Sequence, residues 1–302
     1  QNIYVSDSHG IYGKQYVRDD KGRVIEEMYL AYDGSPKATK WGMGKKLFYY
    51  DENDNWSKSV YQTIDGQPAL DDTEGTGICE NVYDKYGNLT AQYFKNSEGQ
   101  LMLPGRQGCA GCLVEFDDKG FTRKQTFIGI DGNVEYSTLQ GGAMIAYECN
   151  EYGFFNKITF MDADGKPCAT NQGNAYIKIV TDERGNELER WNYNVNNELV
   201  ANAEGYAGLK AEYDSLGHMV KIIFHGEDGE PCELNNGIAG WNREYNAMGD
   251  LIKASNIGTD FQPTLDNNNI CTAVYERDVR GNITKALFYD EDRELTLNSE
   301  GI

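Results

Sequence analysis

The sequence predicts an all-β chain: an elongated tandem array of about nine β-hairpin repeats of 32–33 residues, a solenoid-like stack or ribbon. Three observations predict it. One is a glycine closing a hydrophobic-Asp-x-x-Gly-Asn type element, at Gly22, Gly87, Gly120, Gly153, Gly185, Gly217, Gly249 and Gly281, with Asp54 in the one missing place. Another is an Asp-Gly-x-Pro element, as in Asp33–Pro36, Asp65–Pro68, Asp164–Pro167 and Asp228–Pro231. The third is a lone glycine at Gly10, Gly42, Gly75, Gly108, Gly141, Gly173, Gly205, Gly237 and Gly301, with Asn269 filling the gap. Three columns holding one period mark a repeat architecture.

Each element has a physical reason. Asp followed three residues later by Gly is turn chemistry, because the carboxylate accepts backbone amides and glycine tolerates positive φ. Asp84, Asp117, Asp182 and Asp214 hold that place together with Asp19, Asp51 and Asp278, while Asn150 and Asn246 complete the column. Asp-Gly-x-Pro makes a second turn, with proline barring strand pairing on one side. Between the turns lie alternating stretches such as Met219–Phe224 and Phe154–Met161, rich in β-branched and aromatic residues. No stretch sustains a capped helical period. Each repeat is therefore expected to hold two or three short strands joined by two tight turns. Repeat starts fall near Arg18, Tyr50, Tyr83, Phe116, Cys149, Thr181, Tyr213, Tyr245 and Arg277, so the chain begins and ends inside a repeat, as expected of part of a longer array. A closed propeller is less natural, because a four-stranded blade takes about 40–50 residues.

Composition narrows the function classes. Of the 302 residues 39% are hydrophobic, which suits a thin core spread along repeats, and aromatics at 12% argue against disorder. The formal charge of −20 disfavours nucleic-acid and anionic-membrane partners. No apolar run approaches a membrane span.

The Tyr-Asp-x-x-Gly-Asn element, at Tyr83–Asn88, Phe116–Phe121 and Tyr213–His218, resembles the YD repeats of RHS-type bacterial proteins. Gly205-Tyr206-Ala207, with Lys210 to Asp214, is also similar to bacterial WG repeats. The repeat here is longer than the YD unit, and Asp-Gly-x-Pro is foreign to it. The resemblance implies a bacterial cell-surface or secreted β-repeat protein built of hairpin ribbons.

Equivalent positions in a stacked array form rows. An aromatic row, Tyr29, Tyr61, Phe94, Phe127, Phe160, Phe224 and Phe288, is expected to be the packing between repeats. A second row, Tyr50, Tyr83, Phe116, Tyr213 and Tyr245, stands at the turn entrance. Exposed, either row would suit stacking on sugars or a protein partner. Stacked turn carboxylates raise Ca²⁺ as a ligand, but Asn in the same column points to backbone capping, and no calcium-loop spacing is present. No other cofactor is expected. Lys58, Lys124, Lys157, Lys221, Lys253 and Lys285 flank Glu115, Glu148, Glu212, Glu244 and Glu276, which predicts cross-strand charge pairs on a solvated face.

Seven cysteines leave at least one unpaired within the chain. Cys79 and Cys112 share a register in consecutive repeats and are the candidate disulfide; Cys168 and Cys232 are two repeats apart. Cys109-Ala110-Gly111-Cys112 is a lone CxxC, and residues i and i+3 on a strand face opposite ways, which argues against zinc or redox use. His9, His218 and His225 fall in no zinc-protease or nucleophile motif, so no enzyme is expected. The expected role is a non-enzymatic structural stalk, filament or shell, self-associating through array ends or edges. The alternative is an adhesion module holding glycans or proteins through repeated shallow sites.

Overall fold

The computed structural model describes residues 7, 10–71 and 74–297; Gly301 and His9 lie outside them. Eighteen strands and no helix occur among the described residues. They form nine hairpins: Gly13–Arg18 with Val24–Leu30, Lys45–Tyr50 with Trp56–Gln62, Ile78–Tyr83 with Leu89–Lys95, Gly111–Phe116 with Thr122–Ile128, Met144–Cys149 with Phe155–Met161, Tyr176–Thr181 with Glu187–Tyr193, Gly208–Tyr213 with Met219–His225, Gly240–Tyr245 with Leu251–Ile257, and Thr272–Arg277 with Ile283–Tyr289. No helix among the described residues is long and apolar enough to cross a membrane.

The chain divides into two compact units, Gln1–Ala146 with Met161–Lys166, and Tyr147–Phe160 with Pro167–Ile302. In the first unit each strand pairs antiparallel with its chain neighbours, for example Lys45↔Gln62 inside a hairpin and Glu27↔Lys46 between hairpins. The second unit repeats the scheme, with Gly208↔His225 inside and Glu189↔Lys210 between. Six residue pairs join the two strands of a hairpin, and three join one hairpin to the next. No propeller blade is cut off from this ladder within either unit.

The repeat holds three turns rather than two, all of one geometry. Asp19 N–H donates to Arg23 O while Gly22 N–H donates to Asp19 O; Ala31 with Ser35 and Gly34, then Thr39 with Met43 and Gly42, repeat both bonds. The lone-glycine column is thus a third turn, and its glycine carries the positive φ of a bulge, 95° at Gly42. The third turn also explains the mixed period. Asp71 N–H reaches Thr76 O and Ser137 N–H reaches Gly142 O, five residues on instead of four, so 33-residue spacings arise where this turn holds one extra residue. Two turns were expected because neither Asp nor Pro marks the third consistently.

The core of each unit runs along one face of the strands. Tyr29, Phe94 and Phe127 are buried; Tyr61, Phe160, Phe224 and Phe288 are half-buried. Asn192 and Asn256 take the row's two remaining places. Beside this row runs a column of small residues: Gly44, Gly77, Ala110, Ala143, Ala175, Ala207, Ala239 and Cys271. All five alanines have 0% exposure. Each joins two hairpins through its backbone, as when Ala110 N–H donates to Ile128 O and Phe94 N–H donates to Ala110 O. A Cβ on Gly44 or Gly77 would lie 2.5 Å from a backbone nitrogen of the next strand exit, so the chains approach too closely there for larger side chains.

Candidate functional site

The first turns are capped as the Asp column predicts. Asp84 Oδ1 accepts from Tyr86 N–H at 2.8 Å and Asn88 N–H at 3.0 Å, while its Oδ2 accepts from the Asn88 amide at 2.9 Å. Asp182 does the same with Arg184 and Asn186. Asp117 replaces the amide with the Arg123 guanidinium, at 2.5 Å. Asp214 replaces it with His218 Nδ1, at 2.9 Å. These donors hold the carboxyls below the usual aspartate range, the Asn88, Asn186 and His218 side chains being the largest influence on Asp84, Asp182 and Asp214. Both oxygens of each carboxylate are engaged locally. Among the described residues no group of three His, Cys, Asp or Glu is placed to hold a metal ion.

Gly22, Gly87, Gly120, Gly153, Gly185, Gly217, Gly249 and Gly281 all have φ between 82° and 92°. Asp54 takes the same place at φ 66°. Among the described residues the other positive-φ residues that are not glycine, Asn197, Phe261, Asn269 and Arg293, also stand at bulge places of second or third turns. Asn tolerates that region; Phe261 does so under strain.

The second aromatic row has a role that aromatic character alone did not reveal. In each hairpin described for it the register shifts by one residue just before the turn, as between Tyr49 and Tyr50. A bulge of this kind re-aims a side chain. The hydroxyls then reach back about one repeat: Tyr50 donates to Val24 O at 2.8 Å, Tyr83 to Trp56 O at 3.1 Å, Tyr213 to Glu187 O at 3.2 Å and Tyr245 to Met219 O at 3.1 Å. Arg277 Nε makes the same clasp to Leu251 O. These half-buried rings bind the chain to itself.

The Lys and Glu columns meet across their hairpins. Lys124–Glu115, Lys157–Glu148, Lys221–Glu212, Lys253–Glu244 and Lys285–Glu276 pair at 2.5–3.1 Å. Lys58 faces Tyr49 instead and reaches Glu80 of the next hairpin at 3.8 Å. Such solvated pairs contribute little each, about 0–1 kcal/mol. Two of the three histidines are described. His218 stacks on Tyr245 at 4.7 Å and His225 Nδ1 lies 2.9 Å from Gly229 O.

One place breaks the periodic pattern. Beneath the first two hairpins a cavity of about 350 Å³ opens beside Tyr29, Met43 and Tyr61. The strand position that faces the aromatic row is Lys14 and Lys46 here, but Ile145, Ile177 and Leu209 further on. Burial opposes the Lys14 ammonium most strongly, yet the hydrogen bond with Glu27 at 2.8 Å, the Glu27 charge and the nearby Tyr16 and Asp7 together outweigh it and raise the pKa. Lys46 sits among rings, its Nζ 4.9 Å from the centroids of Phe48 and Trp56 and 5.2 Å from Tyr61. Burial pushes its pKa below the ordinary lysine value and lifts the Tyr61 phenol to about 12. Asp7, Glu27 and Asp71 line the same cavity, and Glu27 stands opposite Lys46 in the register, so the ammonium faces carboxylates as well as rings. The periodic rows hid this cavity; its signal was the two lysines in an otherwise apolar or cysteine column.

The cysteines depart from expectation twice. Cys79 and Cys112 are free thiols and cannot form the expected bridge. Cys79 pairs with Phe94 and Cys112 with Gln92, so the strand Leu89–Lys95 runs between them. Two strand spacings separate the backbones by roughly 9–10 Å, beyond the about 4.4–6.8 Å that a disulfide spans. Equivalent residues of consecutive repeats are never adjacent strands. Cys109 and Cys112, expected on opposite faces, line one cavity, because the strand Gly111–Phe116 starts only after Cys109.

No protein-family model and no curated protein matches the chain. Among solved structures it is similar to the crystal structure of TcdB2-TccC3, at 12% identity and a TM-score of 0.50, with 91% of this chain and 12% of that chain covered. The structure of the Photorhabdus luminescens Tc holotoxin pore aligns at 12% identity with a TM-score of 0.37, covering 94% of this chain and 18% of the other. This chain spans about an eighth of the TcdB2-TccC3 chain it matches. What the likeness to TcdB2-TccC3 carries is the fold: this chain is a tandem array of antiparallel β-hairpins.

Proposed function

We propose that the chain is a non-enzymatic structural element of a bacterial secreted or surface protein, a β-hairpin scaffold of stalk, filament or shell type. The observation that carries the reading is the row of tyrosine hydroxyls and Arg277, each clasping a carbonyl 26 or 27 residues upstream. These four hydroxyls and the guanidinium bind hairpin to hairpin instead of facing a ligand. The resemblance to RHS-type YD repeats supports the bacterial, extracellular placement. The resemblance to hairpin ribbons likewise supports self-association along strand edges, which sedimentation velocity across a concentration series would register as a growing species. The scaffold reading is tested on a glycan and protein array with the whole chain. It expects no saturable binding, and clear hits on one sugar class would reject it.

A second reading, a binding module, is favoured by the cavity around Lys46. Its ligand would carry a ring face for Tyr61 and hydroxyls for the carboxylates of Asp7, Glu27 and Asp71, which line the cavity with Lys46. Glucose compared with glucuronate, each titrated by calorimetry against the native chain and Tyr61→Ala, decides it. Saturable binding of the neutral sugar, lost in the variant, is the outcome this reading requires.

A further inference from the structure

The pair Cys109 and Cys112 belongs to neither reading above; Cys112 shares its column with Cys79, and Cys109 has no cysteine in its own. Both thiols line one cavity of about 230 Å³ together with Phe94, Phe127 and four glutamines. Cys112 lies in the strand, opposite Phe127 on one side and Gln92 on the other. Cys109 lies just before it, one residue after Gly108, whose φ of 69° ends the third turn. That turn swings position 109 onto the face that position 112 already occupies. The corresponding place in a later hairpin shows the same: Tyr206 lies 5.0 Å from Phe224, the residue opposite Leu209. Tyr206 and Leu209 share one packed cluster there, as Cys109 and Cys112 share one cavity.

We propose that Cys109 and Cys112 are a redox modification site, closing into a short-range disulfide by exchange with a small-molecule disulfide. One of the two thiols attacks one sulfur of the reagent and releases the first thiol, leaving a mixed disulfide. The other then attacks the protein-bound sulfur and releases the second thiol. Two protein thiols are oxidised, one disulfide reagent is reduced, and the two protons leave with the released thiols. Burial keeps both groups protonated, Cys112 up to about 11 with Cys109 adding to the effect, so closure is slow and needs an oxidising surrounding. The closed ring would tie the end of the third turn to the start of its strand. Cys79 stays outside it, a strand away.

The test uses the whole folded chain in buffers running from reduced to oxidised glutathione, quenched in acid and blocked with N-ethylmaleimide. Trypsin releases Gln107–Lys119, which holds these two cysteines and no other. The expected result is a peptide lighter by two hydrogens that takes no blocking group, restored by dithiothreitol and unchanged in Cys79→Ser. In Cys112→Ser the peptide keeps one blockable thiol at every ratio. Closure in urea but not in the folded chain, a glutathione adduct that stalls on Cys112, or a bridge to another cysteine would each overturn the proposal.

Discussion

Two hairpins with the same backbone are filled differently. In Lys45–Tyr50 with Trp56–Gln62, Lys46 stands opposite Tyr61; in Gly208–Tyr213 with Met219–His225, Leu209 stands opposite Phe224. Both are entered through a small residue, Gly44 or Ala207, and both carry the register shift before the first turn. Yet the first borders an open cavity, and the second closes on a cluster of Leu209, Ala211 and Ile222 with Tyr206, Phe224 and Trp241 against it. The turns and the small-residue column specify the path of the chain, while the strand face is left free to vary. A repeat can therefore give up local packing for a charged cavity without losing its place in the ladder.

The largest effect should come from emptying the packed hairpin. Ile222→Ala is expected to cost about 2–5 kcal/mol, read as lost protection of the amides in Gly208–His225 by hydrogen exchange. Lys46→Met is expected to be neutral or stabilising, since a half-buried ammonium is replaced by an apolar chain of similar length. Equal losses from the two changes would break the contrast. Gly240→Ala comes next: its Cβ would lie 2.1 Å from Ile222 O, a backbone atom with little room to yield. Overpacking of this kind costs about 1–3 kcal/mol, and a urea midpoint unchanged from the parent would show that hairpins slide freely at that junction.

The turns sharpen the comparison with changes of opposite sign. Phe261, at φ 63°, holds the bulge place that Gly229 fills at 81° in the preceding repeat. Phe261→Gly should stabilise by about 1 kcal/mol, whereas Gly229→Ala should destabilise by a similar amount. A thermal melt in which both changes destabilise would mean that the Phe261 ring contributes contacts outweighing its strain.

How much of this was legible in the sequence follows from what kind of residue carries each feature. Turns with a side-chain cap and a glycine show themselves, because both residue types answer to the same local backbone demand; Asp84 with Gly87 is the pattern. The third turn was half legible, its glycine visible but its first residue varying from Thr39 to Asp71 to Leu234. The alanine column keeps the period but is silent in the sequence, because Ala175 or Ala207 signals nothing until the close approach of two hairpins is known. Disulfide geometry failed for a topological reason: equal register in successive repeats means two strands apart, which only the pairing order reveals. The Lys46 cavity is not legible from the period, because a repeat pattern carries no information about a feature that departs from it.

Tyr213→Phe tests the clasp. Losing the bond to Glu187 O should cost about 0.5–1.5 kcal/mol, and the amides of the preceding hairpin, not its own, should exchange faster. Faster exchange confined to Gly208–Tyr213 itself would mean that the hydroxyl supports its own hairpin rather than joining two.

The smallest effect divides the turns by their capping residue. Asp84 and Asp182 have carboxyls lowered below 3.8, chiefly by the Asn88 and Asn186 side chains. A depressed folded-state pKa contributes stability that is fully present above the unfolded value and is lost as pH falls through the folded one. Asn150 offers Oδ1 to Tyr152 and Phe154 with no proton to gain. Acidification below pH 3.8 should therefore loosen the amides of Tyr86 and Asn88 while those of Tyr152 and Phe154 hold, as read by amide chemical shifts through an acid titration. Because the Asn-capped turn lacks only the titratable group, simultaneous loosening of both would trace acid sensitivity to the strands and not to the caps.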